Sequence, residues 1–232
     1  MTADFIVHAI VPARSGSKEF PNKNFAYVRE HPLLYWSIKD GIDCEFVDNV
    51  YISTDSAEYE SYALSAGCLS LGLRPIDLAS DLSRDYDYLR FHVHTLMKKS
   101  MKVPDAILIL RPTSPFRNIN DLSNAFNYYL SHINLFDSMR SVTRMKLTPY
   151  KSWLYSNVDG SITPLIGSPA DDYINSPRQL LPDVFWQNGC FDIVSIKTIL
   201  AGSHLGSKVC PWFQDNAGLD IDSVDDLKFL IP

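Results

Sequence analysis

Long hydrophobic runs are missing from this chain of 232 residues: no stretch of about 18 consecutive apolar residues occurs, so no membrane-spanning helix is expected. The first residues, MTADFIVHAIVPARSGSK, carry neither a charged segment ahead of the apolar run nor a small-residue cleavage site, so we expect no signal peptide. Cysteine is scarce, with four scattered residues and no CxxC pair. This argues against a metal cluster or a disulfide framework and favours reduced thiols in a cytoplasmic protein.

An excess of basic residues is also missing. The 21 Lys and Arg residues are outnumbered by 27 Asp and Glu residues, giving a formal net charge of -6. A general nucleic-acid binder usually carries a basic face, so we expect no nucleic-acid partner. The net charge is compatible with a local basic pocket for a small anion. A hydrophobic content of 46% is enough for a full core. The length predicts a single domain over residues 1–232.

Strands and helices alternate along most of the chain. Apolar or β-branched runs predict strands over residues 5–11, 49–54, 68–73, 105–110 and 138–145, and again over 185–195. Helices are predicted from Pro32, from Asp55 or Ser56 to Gly67, over 85–99, from Asn120 or Asp121 to about His132, and after a Ser223 cap. This alternation is typical of a doubly wound, mostly parallel α/β sheet.

One loop at a predicted strand end concentrates positive charge. In IVPARSGSKEFPNKN, Gly16 and its serine neighbours let backbone N–H groups converge, while Arg14, Lys18 and Lys23 supply cations. Ligands of such sheets bind beyond the carboxyl ends of the strands, so the loop predicts a polyphosphate site. It matches neither GxxxxGK[ST] nor GxGxxG, and a solvated basic loop is the alternative interpretation.

The regular order breaks between residues 148 and 184. There YKSWLYSNVDGSITPLI places aromatic and β-branched residues on both sides of Asp159-Gly160, a strong hairpin signal. We interpret the segment as an insertion because it interrupts an otherwise regular α/β order. An exposed hairpin that carries Trp153, Tyr155, Leu165 and Ile166 would require a partner surface.

Six segments in order resemble motifs of the acylneuraminate (CMP-sialic acid) cytidylyltransferase family. IVPARSGSKEFPNKN is similar to ARxGSKxxxxKN, LRPIDLASD to RPxxLAxD, ILILRPTSPFRNINDL to LQPTSPLRxxxDI, SPRQLLPDVFWQNG to RQxxPxxYxxNG, and GLDIDSVDDL to DIDxxxDL. YISTDSAEYESYALSAG resembles the family's second strand and helix. The resemblance implies a nucleotide-binding (Rossmann-like) sheet and transfer of CMP from CTP to the anomeric hydroxyl of a nine-carbon α-keto acid sugar, a sialic acid or related nonulosonate, with release of pyrophosphate. It also implies a homodimer joined through a β-hairpin extension, which would be the segment at about 148–184.

The resemblance assigns roles residue by residue. On the nucleotide side, the triphosphate loop would comprise Arg14, Ser17, Lys18 and Lys23, with Asn24 on the nucleotide, Arg74 near the base and ribose, and Ser83 at the cytosine edge. On the acceptor side, the matching residues are Arg111, Thr113, Ser114, Arg178, Gln179, Gln187 and Asn188. In the family, the arginine of the RQ block reaches the sugar carboxylate from the partner subunit, a contact that suits a bidentate guanidinium.

Two carboxylates near the end of the chain form a candidate metal pair. Asp220 and Asp222 alternate along an extended run, so both can face one cation, and hard oxygen ligands suit Mg²⁺ bridging phosphates. An acidic helix cap is the alternative, and the family resemblance favours Mg²⁺. Together with Arg14 and Lys18, which stabilise developing phosphate charge, they are the predicted catalytic residues.

Some departures leave the acceptor open. Family members often carry Gln where this chain has Arg111. A cytidylyltransferase for another acid sugar, such as 3-deoxy-octulosonate, is an alternative, but that family's loop reads ARLxSTRLPxKP. A catalytically silent nucleotide-binding homologue is another. None of the six histidines falls in a motif that requires one, and Asp192 is a possible base or a structural residue.

Overall fold

The computed structural model describes residues 5–169, 172–215 and 220–227. Its strands are β1 (Val7–Pro12), β2 (Tyr27–Val28), β3 (His31–Pro32), β4 (Asn49–Ser53), β5 (Leu69–Ser70), β6 (Ala106–Ile109), β7 (Ser138–Arg144), β8 (Trp153–Tyr155), β9 (Ile162–Pro164), β10 (Phe185–Ser195) and β11 (Val209–Phe213). Its helices are α1 (Leu33–Asp43), α2 (Ala57–Ser65), α3 (Asp85–Lys98), α4 (Ile119–Ser131), α5 (Ile196–Leu200) and α6 (Val224–Leu227).

Seven strands form one mixed sheet in the order β11-β7-β10-β6-β1-β4-β5. Strands β6, β1, β4 and β5 are parallel to one another, and β11 is parallel to β7. Strand β10 runs antiparallel to both of its neighbours, β6 and β7. The predicted mostly parallel α/β sheet is therefore confirmed, with β10 as its antiparallel member.

Helices cover both faces of the sheet because the buried strands are apolar on both sides. Val11 and Leu108 pack in the cluster that includes side chains of α1 and α4. Ile10, Ile107 and Ile109 point to the opposite face and pack with side chains of α3. Each fully buried aliphatic side chain of this kind contributes roughly 1.5–3 kcal/mol of transfer free energy. The burial holds the carboxyl ends of the central strands at one edge.

Local capping residues explain where several helices begin. The Ser56 hydroxyl accepts a hydrogen bond from Tyr59 N and caps α2, so Ser56 is the cap of the two that the sequence offered. Helix α4 begins earlier than predicted, because the Asn118 side chain caps it by accepting from the two amides that follow Ile119. Pro32 is extended and precedes α1, rather than lying in its first turn.

The predicted hairpin is present, and other elements were not predicted. Strands β8 and β9 pair antiparallel, separate from the main sheet, and Trp153, Leu154 and Tyr155 are all exposed. Helix α5 has only five residues, and edge strand β11 carries Pro211, so neither gives a long periodic pattern. None of the helices in the described ranges is both long enough and apolar enough to cross a membrane.

Candidate active site

A first cavity opens where β1 and β6 end, and we call it the loop cavity. Its volume is about 220 Å³. Pro12 is the last residue of β1, and Arg111 follows the end of β6. The cavity brings together many of the predicted nucleotide residues, namely Arg14, Ser17, Lys23, Asn24, Arg74 and Ser83.

Two cations of the loop after β1, Arg14 and Lys18, form ion pairs with Asp81. Arg14 Nη1 lies 2.6 Å from Asp81 Oδ1, and Lys18 Nζ lies 2.5 Å from Asp81 Oδ2. Hydrogen bonds from Lys18 and then Arg14 lower the pKa of Asp81 below its ordinary value. The Lys18 side chain is 83% exposed, so it reaches across the loop surface rather than lining the cavity.

Arg74 is fixed against the end of β4. Its guanidinium donates to the Ser53 carbonyl at 2.7 Å and to the Ser53 hydroxyl at 3.0 Å, and it lies 4.9 Å from the ring centre of Tyr88. Burial lowers its pKa, and the neighbouring Tyr88 opposes that effect. Arg74 is only 6% exposed, so it is not the surface cation that an isolated arginine would suggest.

The remaining nucleotide-side residues are held by local hydrogen bonds. Asn24 is buried and donates from its amide to the Arg14 carbonyl at 3.0 Å. The Ser83 hydroxyl is 3.0 Å from that of Ser80. Lys23 pairs with Asp222 at 2.8 Å and so connects this loop to the end of the chain.

A second cavity lies beside the first, and we call it the aspartate cavity because Asp85, Asp192, Asp220 and Asp222 line it. Its volume is about 640 Å³. Other lining residues include Arg140, Trp186, Gln187, Gly189 and His204. Asp85, Arg111 and Thr113 line both cavities. A ligand in the loop cavity would therefore contact the same wall as a ligand in the aspartate cavity.

Asp220 and Asp222 form an acidic rim on the aspartate cavity. Ile221 N between them donates to the Thr113 carbonyl at 2.7 Å, which ties this segment to the loop after β6. Desolvation raises the pKa of Asp220, and the charge of Asp222 adds to the rise, while a hydrogen bond from Thr113 opposes it. A positive charge beside Asp220 would relieve this cost.

The surroundings of this pair fit a hard divalent cation. Carboxylate oxygens are the ligands that Mg²⁺ prefers. Gly189 has φ +71°, and a Cβ there would lie 3.2 Å from Asp220 Oδ2 and 3.3 Å from Ser114 Oγ. Glycine therefore keeps the space around the carboxylate open. The Ser114 hydroxyl is buried and has no hydrogen-bond partner among the described residues.

Arg111 belongs to a partly buried chain of ion pairs centred on the buried Asp192. Its Nη2 lies 2.5 Å from Asp85 Oδ2 and 2.8 Å from Asp192 Oδ2. Arg140, the cross-strand partner of Asp192, binds that carboxylate with two nitrogens, at 2.7 and 2.9 Å. Desolvation raises the pKa of Asp192, but Arg111 and Arg140 outweigh it and bring the value to about 2. Desolvation by itself would lower the pKa of Arg111, but the charges of Asp192 and Asp85 outweigh it. The pKa of Arg111 therefore lies above its ordinary value.

A further cluster of possible metal ligands lies in the same cavity. Asp85, Asp192 and His204 each offer one ligand atom, and these atoms lie within 4.8 Å of one another. Such a spacing can hold a metal ion. Arg111 and Arg140 already bind the two carboxylates, however, and a cation there would have to compete with two guanidinium groups. At Asp220 and Asp222, a divalent cation would compete only with Lys23, which is paired with Asp222. Among the described residues, this pair of carboxylates therefore fits a divalent cation better.

Four predicted acceptor residues lie outside the aspartate cavity. Arg178 and Gln179 line a separate cavity near the start of the hairpin segment, where Arg178 donates to the Met145 carbonyl. Asn188 is buried, and its amide bonds Ser141, Cys190, Thr143 and Gln214. Ser114 lies just behind Gly189. Of the predicted acceptor residues, the cavity itself brings together Arg111, Thr113 and Gln187.

Three residues of the cavity gave no usable signal in the sequence. Arg140 lies on a strand whose pattern predicted only a strand. His204 lies in an irregular segment between α5 and β11. Asp85 reads as an ordinary acidic residue in the first turn of α3. Their convergence depends on the order of strands in the sheet, and that order cannot be read from local sequence.

Comparison with known proteins identifies related sequences. A cytidylyltransferase family model matches residues 8–148. The chain is 30% identical over 205 residues to the CMP-N,N'-diacetyllegionaminic acid synthase of Legionella pneumophila, covering 86% of this chain and 82% of that one. It is 34% identical over 136 residues to an N-acylneuraminate cytidylyltransferase of Escherichia coli, covering 59% and 31%, and 26% identical over 226 residues to one of Streptococcus agalactiae, covering 96% and 52%. The chain thus spans about half or less of the length of these last two relatives.

Solved structures support the fold. A CMP:2-keto-3-deoxy-manno-octonic acid synthetase complexed with CTP is similar with a TM-score of 0.71 at 14% identity, covering 97% of this chain and 96% of that one. A 4-diphosphocytidyl-2C-methyl-D-erythritol synthase from Anaerococcus prevotii has a TM-score of 0.62 at 11% identity, covering 97% and 94%. Because the family model matches more than half of the chain, the chain belongs to the cytidylyltransferase family.

Proposed function

We propose that the chain transfers CMP from CTP to the anomeric hydroxyl of a nine-carbon α-keto acid sugar, a sialic acid or a related nonulosonate, and releases pyrophosphate. The observation that carries the proposal is the wall shared by the two cavities, formed by Asp85, Arg111 and Thr113. CTP in the loop cavity and the sugar in the aspartate cavity would meet along that wall. Holding both reactants in contact supplies much of the rate enhancement of a group transfer.

The nucleotide half of the proposal rests on the positive charge of the loop after β1. Arg14 and Lys23 line the loop cavity, and Lys18 lies at the surface of the same loop. A triphosphate needs several donors at once. Arg74 and Ser83 also line the loop cavity and would contact the base and ribose. These roles follow the family resemblance and the cationic lining of the cavity.

Asp220 and Asp222 would hold Mg²⁺ beside the phosphates, and Lys23 is paired with one oxygen of Asp222. When bound, the cation neutralises charge on the α-phosphate and on the leaving pyrophosphate. Lys23 and Arg14 would orient the triphosphate in line with the acceptor hydroxyl. Thr113, through its contacts with Asp220 and Ile221, keeps the acidic segment against the cavity wall.

The acceptor half rests on named relatives and on the cavity. Relatives named for N-acylneuraminate, legionaminic and pseudaminic acids all use nonulosonates, at 24–34% identity. Arg111, Thr113 and Gln187 line the aspartate cavity, which offers many hydrogen-bond partners for a hydroxylated sugar. Arg111 is committed to two carboxylates, so it contributes little net charge. The acceptor carboxylate would instead pair with Arg178 of the partner subunit, next to Gln179. Asn188 would hold β10 in place through its hydrogen bonds to Ser141 and Thr143 of β7.

The proposed assembly is a homodimer built through the extension at about 148–184 of a single domain. Exposed Trp153, Leu154 and Tyr155 on β8 are the apolar surface that a partner would cover. All four cysteines are buried and unpaired, as suits a reducing compartment, and we propose the cytoplasm as the location.

An acceptor panel tests the function. Purified protein is incubated with CTP and Mg²⁺, together with neuraminic, legionaminic, pseudaminic or deaminated nonulosonates, or with 3-deoxy-octulosonate, and pyrophosphate is measured. We expect release only with a nonulosonate. Release with the octulosonate alone would reassign the acceptor, and no release with any acid would favour a silent nucleotide-binding homologue. ATP, GTP and UTP are the matched controls for the nucleotide.

A further inference from the structure

His204 occupies an unusual place in the aspartate cavity. Its Nε2 lies 3.9 Å from Asp85 Oδ2 and 3.8 Å from Asp192 Oδ2. The atom is buried and has no hydrogen-bond partner among the described residues. A buried nitrogen without a partner is costly, so its retention calls for an explanation. A movement of about 1 Å would bring either carboxylate within hydrogen-bond distance.

The two carboxylates determine which ring nitrogen is free to react. Facing acceptors favour the tautomer that carries its proton on Nε2, and this leaves a lone pair on Nδ1. In this arrangement, carboxylates orient a neutral imidazole and stabilise the imidazolium that forms when it takes a proton. The groups around His204 thus suit a proton acceptor.

The charges around the imidazole are balanced. Asp85 and Asp192 face it with Arg111 and Arg140 behind them, which makes two formal negative and two formal positive charges. Burial lowers the pKa of His204 below its ordinary value of 6.5, while Asp85 and Asp192 oppose the fall and the two arginines add to it. The imidazole is therefore neutral at pH 7, the state in which it can accept a proton.

Other candidate bases in the cavity are already occupied. Both oxygens of Asp192 bind arginines. Asp85 is held by Arg111, and Asp220 belongs to the proposed metal pair. His92 lies elsewhere, buried against His8 and Tyr51. Among the described residues that line the cavity, His204 is the neutral nitrogen base.

We propose that His204 is the general base of the transfer reaction, and this rests on the proposed function. As the acceptor oxygen forms its bond to the α-phosphorus of CTP, the proton of that hydroxyl passes to Nδ1. The bond between the α-phosphorus and the bridging oxygen breaks, and pyrophosphate leaves with the electron pair. The imidazolium then returns its proton to water.

The test compares His204→Gln and His204→Ala with His94→Gln, a control at an exposed histidine of α3. General bases typically contribute about 10² to 10⁴-fold, so we expect kcat to fall at least about 100-fold in both His204 variants. The wild-type rate should fall with decreasing pH through a pKa below 6.5, because protonation removes the base. The variants should lack that limb, and added imidazole should partly restore His204→Ala.

CTP affinity and Mg²⁺ dependence distinguish a general base from a metal ligand, and both from a failure of the proposed function. CTP affinity by calorimetry should be unchanged in the variants, because His204 does not line the loop cavity; this also reports folding. If His204→Gln keeps the wild-type rate and pH profile, the base assignment is wrong. If it only raises the Mg²⁺ concentration needed for half-maximal rate, His204 is a metal ligand and the assignment is again wrong. If wild type releases no pyrophosphate with any acceptor, the proposed function itself fails.

Discussion

The carboxylate of Asp81 lies 2.6 Å from the guanidinium of Arg14, in a loop that precedes α3. The same carboxylate contacts Lys18. An incoming triphosphate would meet two cations that an acid of the protein already contacts. Asp81 and a phosphate oxygen carry the same kind of charge, so they would compete for these groups.

Replacing Asp81 with Asn should therefore strengthen CTP binding by a few-fold. The variant keeps the size of the side chain and removes the competing charge. Calorimetric titration with CTP at low and high salt measures the effect, which should shrink as salt screens the cations. Asp43→Asn is the matched control, because Asp43 forms a similar exposed pair with Lys39 away from both cavities. Weaker binding by Asp81→Asn would mean that Asp81 positions the cations for CTP.

Replacing Lys18 with Ala should lower turnover more than it weakens CTP binding. Lys18 is the most exposed cation of the loop, so it is free to move toward charge that develops on the leaving pyrophosphate. Initial rates over a range of CTP concentrations separate kcat from KM, with Lys39→Ala as the control. An unchanged kcat would remove Lys18 from the catalytic residues.

The sequence predicted the central strands, most helices and the hairpin, because each follows from a local pattern. The run that became β6 is apolar throughout, the run that became β1 is interrupted only by His8, and Ser56 is a typical helix cap. The direction of β10 and the pairing of Arg140 with Asp192 could not be predicted from the sequence, because both depend on which strands become neighbours. The loop cations were predicted, but the contact of Arg14 with Asp81 joins residues 67 positions apart in the sequence.

Replacing Asp222 with Ala should abolish Mg²⁺-dependent pyrophosphate release and leave the fold intact. The change removes one of two carboxylates on the rim of the aspartate cavity and frees Lys23 from its ion pair. Activity is measured across a Mg²⁺ titration, and circular dichroism checks the fold. Asp225→Asn, on α6 just beyond, is the matched control. Wild-type Mg²⁺ dependence in Asp222→Ala would refute the ligand assignment.

Replacing Leu154 with Asp should convert a dimer into monomers. Leu154 is 53% exposed in the centre of β8, and a charge there would be buried without a partner at an apolar interface. Light scattering coupled to size exclusion gives the mass. Val158→Asp is the control, because Val158 lies at the tip of the hairpin and is 97% exposed. A wild type that is already monomeric would contradict both the dimer and the role of Arg178.

Replacing Asp192 with Asn should destabilise the protein in a pH-dependent way. Asp192 is 1% exposed and its charge is shared by Arg111 and Arg140. Its loss leaves Arg140 without a carboxylate partner and leaves Arg111 paired with Asp85 alone. Removing one partner of a buried pair typically costs about 3–5 kcal/mol. Urea denaturation at pH 7 measures the difference in unfolding free energy. Asp183→Asn, which breaks the exposed pair with Arg144, should have a much smaller effect.

The pH dependence of that difference identifies the cause. The pKa of Asp192 in the folded chain is about 2, below its ordinary value of 3.8. A carboxyl with a depressed folded pKa stabilises the protein fully above the ordinary value, and this contribution is lost as pH falls toward the folded one. The gap between wild type and Asp192→Asn should therefore be constant above about pH 5 and should shrink between about pH 4 and pH 2. A gap that stays constant to pH 2 would mean that lost packing, rather than lost charge, destabilises the variant.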